Sequence, residues 1–330
     1  METLAQAMAP SKIVLDSFVG QNSLNSQHEF GVTIQNLWNM FGPSKRYLRG
    51  LLQKYIRMVE AEGHTIEDDE LIAIIIHCNQ IKDIYPDPSE SCYLNFRVTT
   101  NRQTKDNDSL RLRIFPQHND VSLRLWEAGA VLAEYFLKYP QHISGKAILE
   151  IGAGVGLTGL VAASYCGARK VVMTDYSSDC LLNLHHNIHI NGVQDSTHIS
   201  QAYLDWEVFL LDDPQKTETM RSILKFFDDE ADVLIAADVA YDTALVPLLA
   251  KLVKRFLNMR GGRQVIFATT LRNQSTFQLF EDQLKYHSIK NKYEHTSVID
   301  ELPIVFPISF LQPRSDTRIC SMILDNINDS

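Results

Sequence analysis

Apolar residues in this chain recur first at helical spacing and later in short blocks separated by helix-length stretches. In PSKRYLRGLLQKYIRMVEAEG, Tyr47, Leu51, Leu52, Tyr55, Ile56 and Val59 fall on one stripe of period about 3.6. The stripe predicts a helix with one buried face, started at Pro43 and Ser44 and stopped at Gly63. EDDELIAIIIHCNQI predicts another, its leading acids favouring the positive end of the helix dipole. Residues from about 28 to 78 are therefore expected to be all helical.

Between 80 and 118 the character changes. The polar, turn-rich segments DPSES and TTNRQTKDND surround YLNFRV and LRLRIF, whose alternation predicts strands or a hairpin. The domain boundary is placed here, with an N-terminal region at 1–118 and a larger domain at 119–330. From 120 onward AILEIG, KVVMTD, HISQAYL, DVLIAAD and RQVIFATT are strand-like runs spaced by helix-length stretches. That alternation predicts an α/β fold with a mostly parallel, doubly wound sheet. NKYEHTSVI and TRICSMIL, joined by the proline-rich ELPIVFPISFLQPRSD, predict a closing antiparallel pair. LRLWEAGAVLAEYFL predicts a helix ahead of the first sheet strand, with Leu132, Ala133, Phe136 and Leu137 on its apolar face.

The 330 residues are 45% hydrophobic, enough for a sizeable core. A formal net charge of -9 lacks the basic footprint that nucleic-acid binding needs and makes a cationic partner electrostatically easier. Cys78, Cys92, Cys166, Cys180 and Cys320 are scattered, with no CxxC pair for zinc or redox chemistry. Such usage fits a reducing cytoplasm. METLAQAMAPSKIVLDSF carries two acids and no long apolar core, and no run approaches the roughly 20 apolar residues of a membrane span, so neither a signal nor membrane association is expected. A monomer is expected.

The densest chemical signal is LEIGAGVGLTGL at 149–160. After the strand ending at Ile151, Gly152, Gly154 and Gly156 open a helix, so bare backbone can approach a ligand and amides can point at its polar groups. Asp175 ends the next strand about 20 residues on, where an acid would meet paired ribose hydroxyls. Gly154, Gly156 and Gly159 also spell the dinucleotide fingerprint GxGxxG, and the loop alone does not decide between the two ligands. Gly152 and the acidic Glu150 ahead of that triplet favour a methyl donor over a dinucleotide.

DVLIAAD delivers Asp238 to the C-terminal edge of the parallel sheet, and Tyr241 follows three residues later. For methyl transfer to a lysine amine the protein must align a neutral nucleophile with the donor, and Asp238 is assigned positioning rather than strong base work. Asp238 could instead cap the following helix, as Asp242 or Thr243 could, and Tyr241 could simply plug a core. DVAY lacks the amide and prolines of an NPPY-like segment, which argues against adenine or glutamine methylation. Trp206, after the third strand, and Trp126, before the first, could each wall the donor or serve packing alone. His185, His186 and His189 include a pair four apart, but no acid accompanies them at ligand spacing, so a surface helix is expected and no metal.

LWEAGAVLAEYFL, LEIGAGVGLTGL, TDYS, LDW and IAADVAY together resemble the seven-strand, DxxY-type protein methyltransferases over about residues 120–325. ATTLRNQSTFQLFEDQL and the N-terminal PSKRYLRGLLQKYIRMVEAEG resemble, within that group, the elongation factor 2 lysine methyltransferases. The resemblance implies an S-adenosylmethionine-dependent protein-lysine N-methyltransferase acting on elongation factor 2, with sheet order 3-2-1-4-5-7-6 and N-terminal helices that help dock the substrate. It implies donor contacts at Trp126, Gly152, Ala153, Gly154, Asp175, Trp206 and Ala237, with Asp238 and Tyr241 at the methyl-transfer mouth. Two features depart from the family pattern, the polar 80–118 segment and an insertion after the third strand, DDPQKTETMRSILKFFDDE.

Overall fold

The computed structural model describes residues 15, 18, 26–41, 45–80, 89–98, 109–116, 118–194, 198–209, 218–307 and 314–324. The expected helix start at Pro43 and Ser44 lies outside them, as does 212–217 of the insertion. The chain divides into two compact units, Met1–Arg124 with Val305–Phe310, and Leu125–Ile304 with Leu311–Ser330.

The first unit holds helices α1 (Gln27–Phe41), α2 (Lys45–Ala61) and α3 (Asp69–Gln80) and strands β1 (Cys92–Arg97) and β2 (Ser109–Ile114). The expected stripe of α2 is buried at Leu51, Leu52, Tyr55 and Val59, joined by Leu48. The Tyr55 ring stacks on Phe30 with centroids 3.8 Å apart, and Phe18 meets both rings edge-on. Gly63, at φ +79°, supplies the left-handed stop, and the His64 amide returns to the Val59 carbonyl at 3.1 Å. Asp68 starts α3 by accepting the Leu71 amide at 2.8 Å. β1 and β2 pair antiparallel, as the alternation predicts, burying Cys92, Leu94, Phe96, Leu110, Leu112 and Ile114 on one face.

The second unit is a seven-stranded sheet with helices. In chain order come α4 (Glu127–Lys138), β3 (Ala147–Ile151), α5 (Leu157–Tyr165), β4 (Lys170–Asp175), α6 (Ser178–Ile190), β5 (Ile199–Tyr203), α7 (Glu218–Lys225) and β6 (Val233–Ala237). Then follow α8 (Val246–Met259), β7 (Gln264–Thr270), α9 (Gln274–Tyr286), β8 (Ile289–Tyr293), α10 (Thr296–Asp300) and β9 (Thr317–Leu324). The sheet order is β5-β4-β3-β6-β7-β9-β8, with only the pairs involving β9 antiparallel. Counted within this sheet the order is 3-2-1-4-5-7-6, as the resemblance implied.

β3 is buried at every position, as expected of a strand covered on both faces. Leu149, Ile151, Leu234, Ala236 and Phe267 share one core with Leu249, Val253 and Phe256 of α8. The described part of the insertion joins that same core. Ile223, Leu224, Phe226 and Phe227, at helical spacing across α7 and the π-helical turn Phe226–Glu230, are all buried. The run NKYEHTSVI is only half a strand, because pairing stops at Tyr293 and the rest turns into α10. His295 caps that helix by accepting the Ser297 amide, so the polar EHTS stretch satisfies helix donors instead of extending the sheet.

Candidate active site

The glycine loop leaves β3 through three left-handed residues, Gly152 at φ +61°, Gly154 at +55° and Gly156 at +85°. A side chain at Gly152 is doubly disfavoured, since its Cβ would also lie 2.7 Å from Cγ1 of Val239 and 3.8 Å from Cζ2 of Trp206. Those contacts bring the loop, the DVAY segment after β6 and the aromatic residue after β5 to one point. The loop is held from several sides. The Ala153 amide donates to the Thr174 carbonyl at 2.9 Å, Asn187 donates to the Val155 carbonyl at 2.9 Å, and the Cys180 thiol donates to the Gly154 carbonyl at 3.1 Å.

Asp175 ends β4 beside this loop with its carboxylate buried. It accepts the Gly154 amide at 3.1 Å on Oδ2 and the Ser177 amide at 3.2 Å on Oδ1. Burial pushes its pKa up, and the amides of Ser177, Gly154 and Tyr176 and the Cys180 thiol pull against that shift. Its backbone carbonyl takes the Leu204 amide at 3.0 Å, which sets the start of the Trp206–Phe209 turn. Trp206 is half-buried there, packed on the sheet core.

On the other side of the loop stands the first turn of α4. A Cβ at Gly129 would lie 3.9 Å from the Cβ of Ala237 and 3.8 Å from the Thr158 hydroxyl, so this turn covers the end of β6 and the start of α5. Trp126 is its N-cap residue and is half-buried. Glu150, by contrast, is turned beneath α5. A Cβ on Gly159 would collide with its Oε2. Burial pushes its pKa to about 8, partly opposed by the Gly159 amide and the Thr158 hydroxyl. Glu150, whose strand-end position led to its being expected among the cofactor-binding residues, has its side chain in the strand-helix layer.

Asp238 is a non-glycine residue at φ +55°, a conformation in which Asp is among the better-tolerated residues. It does not cap α8, which starts at Val246 after Asp242 has bound the Ala244 amide at 2.8 Å. Its carboxylate turns toward the end of β7 instead. Oδ1 accepts the Thr270 amide at 2.8 Å, and Oδ2 accepts the Thr270 hydroxyl at 3.3 Å and a guanidinium N–H of Arg272 at 2.9 Å. Arg272 also donates to Glu127 of α4 at 3.2 Å and lies 5.1 Å from the Trp126 ring centroid. Tyr241 is 57% exposed.

Arg272, Glu127 and Thr270 are additions to the expected site residues. Arg272 and Glu127 lie 145 positions apart, and only the folded chain brings them together. His185 and His189 are exposed on α6, and His185 lies 3.2 Å from the Gln201 amide nitrogen. The arrangement can present bare backbone and one buried carboxylate to a polar ligand beside the half-buried Trp206 indole.

Several known proteins are similar to this chain in sequence. The mouse protein-lysine N-methyltransferase EEF2KMT is 28% identical over 254 residues, covering 74% of this chain and 70% of the mouse protein. The protein-lysine N-methyltransferase EFM3 of Chaetomium thermophilum is 26% identical over 254 residues, covering 72% of each. Among solved structures, a TehB-like SAM-dependent methyltransferase from Corynebacterium glutamicum aligns over 58% of this chain and 88% of its own, at 13% identity and a TM-score of 0.37. A sequence profile of the lysine methyltransferase family matches residues 104–285, more than half of the chain and all five strands β3 to β7 that build the site. Glycine loop, strand-end acid and DVAY segment thus sit in a chain that belongs to the lysine methyltransferase family, a class of S-adenosylmethionine-dependent protein-lysine N-methyltransferases.

Proposed function

We propose that this protein transfers methyl groups from S-adenosylmethionine to a lysine side chain of elongation factor 2. The observation that carries the reading is the meeting of Gly152, Trp206 and Val239 at one point, with Asp175 bonded to the same loop. The residues suit a nucleoside-bearing donor. A carboxylate has about four acceptor positions, and the Gly154 and Ser177 amides fix one on each Asp175 oxygen at the loop where paired hydroxyls would bind. Gly152, Ala153, Gly154 and Ala237 allow close backbone approach, Gly156 turns the chain into α5, and Trp126 and Trp206 offer aromatic walls. S-adenosylmethionine, when bound, supplies an electrophilic methyl group on a sulfonium.

The remaining work falls to positioning. A free lysine has a pKa of about 10.4 and attacks only as the neutral amine, so its proton must be lost before transfer. Asp238 is engaged by Thr270 and Arg272, which makes it an anchor for the segment bearing Tyr241. In this reading the exposed Tyr241 receives the acceptor side chain. Elongation factor 2 as substrate rests on the sequence resemblance and on the relatives named EEF2KMT. In this reading the protein acts as a cytoplasmic monomer, its first unit docks the folded substrate, and the net charge of -9 favours a lysine-rich surface.

The test is incorporation of labelled methyl groups from S-adenosylmethionine into purified elongation factor 2. Label on a lysine, lost in the Asp175→Asn variant, is the expected result. Label on other proteins or small molecules of a fractionated lysate, but not on elongation factor 2, would overturn the substrate. Failure to bind the donor in calorimetry would make the chain a silent binding module.

A further inference from the structure

Arg272 stands at the junction of three elements that the proposed reaction must hold in register. Its guanidinium reaches Asp238 after β6 at 2.9 Å and Glu127 in the first turn of α4 at 3.2 Å, and lies 5.1 Å from the ring centroid of Trp126. The two carboxylate side chains are 8% and 7% exposed, and Arg272 itself is 32% exposed. Little water reaches either acid, so charge compensation must come from within the protein. Asp238 also sits in the left-handed region, where a non-glycine residue persists only if its surroundings fix it. Thr270 supplies two of those fixing bonds and Arg272 the third.

We propose that Arg272 is a positioning residue for methyl transfer, clamping the Asp238–Tyr241 segment to the Trp126 end of α4. Resting on the reading above, this assigns a specific task to a residue outside the glycine loop and the DVAY segment. The clamp joins the element that walls the donor to the element that receives the lysine, so it sets the distance between the two reactants. Both bonds leave one terminal nitrogen, Nη2, whose two N–H groups point apart in the guanidinium plane, one for each carboxylate, while the planar group lies over an indole. A lysine in its place keeps the charge but offers a tetrahedral point donor without that plane.

The experiment measures steady-state transfer to elongation factor 2 by wild type, Arg272→Lys, Asp238→Asn and the double variant, with thermal unfolding of each. A misplacement of about 1 Å at a reacting centre is worth on the order of 100-fold in rate. Arg272→Lys is therefore expected to lose tens of fold in kcat, with KM for the protein substrate nearly unchanged. If Arg272 acts through Asp238, adding Arg272→Lys to Asp238→Asn lowers kcat little further. A folded Arg272→Lys enzyme with wild-type kcat would overturn the proposal, as would independent, multiplying losses in the double variant. Should Arg272→Lys fail to fold, Glu127→Gln and Asp238→Asn each remove the charge of one arm while keeping Arg272, and wild-type kcat in both would overturn it. Transfer by wild type separates this from the parent reading. If wild type methylates nothing, acrylamide quenching of Trp126 in a Trp38→Phe, Trp206→Phe background decides, with unchanged quenching in Arg272→Lys counting against the clamp.

Discussion

Replacing Glu150 by Gln isolates the free energy that the fold spends on a carboxyl buried between β3 and α5. The side chain is 2% exposed, with Gly159 of α5 directly over its Oε2. Burial raises its pKa from 4.5 to about 8. Below pH about 4.5 the carboxyl is neutral in both folded and unfolded chains and exerts no pH-dependent effect. As the pH rises toward 8 the unfolded chain ionises and the folded one does not, so stability falls. Above 8 both are ionised and the deficit stops growing. At about 1.4 kcal/mol per unit, the shift corresponds to a ceiling of about 5 kcal/mol. Gln is close in shape, keeps an acceptor for the Gly159 amide, and does not titrate. Chemical unfolding of the ligand-free protein at pH 5 and pH 8 is the assay. Glu150→Gln should match wild type within about 1 kcal/mol at pH 5 and exceed it by several kcal/mol at pH 8. Equal stability differences at the two pH values would refute the argument that Glu150 is buried and neutral.

Other substitutions probe the loop and its surroundings. Gly152→Ala meets both a φ of +61° and the Val239 methyl at 2.7 Å, and should lose about 1–3 kcal/mol in denaturant unfolding along with most transfer activity. Asp175→Asn should weaken S-adenosylhomocysteine binding at least roughly tenfold in calorimetry, because the amide has one acceptor oxygen where two now serve Gly154 and Ser177. Asp232 accepts the Ala147 amide at 2.9 Å and pairs with Arg169 and Arg260. Burial raises its pKa, but the Ala147 amide and the two arginines outweigh that and leave it lowered. Its stabilisation is present above the unfolded carboxylate pKa and is lost as pH falls through the lower folded value, so Asp232→Asn should flatten that acid limb of the stability profile.

The central strands were legible because each is a compact apolar block, the N-terminal pair because it alternates, and the order 3-2-1-4-5-7-6 followed from the family resemblance. Gly152, Gly154, Gly156 and Asp175 were legible because a βαβ unit fixes their spacing within one stretch of about 25 residues. What lay beyond reach depends on side-chain direction or on long separation. The sequence places Glu150 at a strand end but cannot show that its carboxyl turns under Gly159. Arg272, 34 residues from Asp238 and 145 from Glu127, becomes a partner of both only when β6, β7 and α4 assemble. The helix at Thr296–Asp300 was hidden because HTSVI carries β-branched residues as well as a cap, and the cap prevailed where sheet pairing ended.

The most direct test of the central claim is peptide mass spectrometry of elongation factor 2 from cells with and without this protein. The account predicts a lysine that carries one or more methyl groups in the first sample and none in the second, restored by wild type but not by Asp175→Asn. Identical lysine methylation of elongation factor 2 in both samples would contradict it.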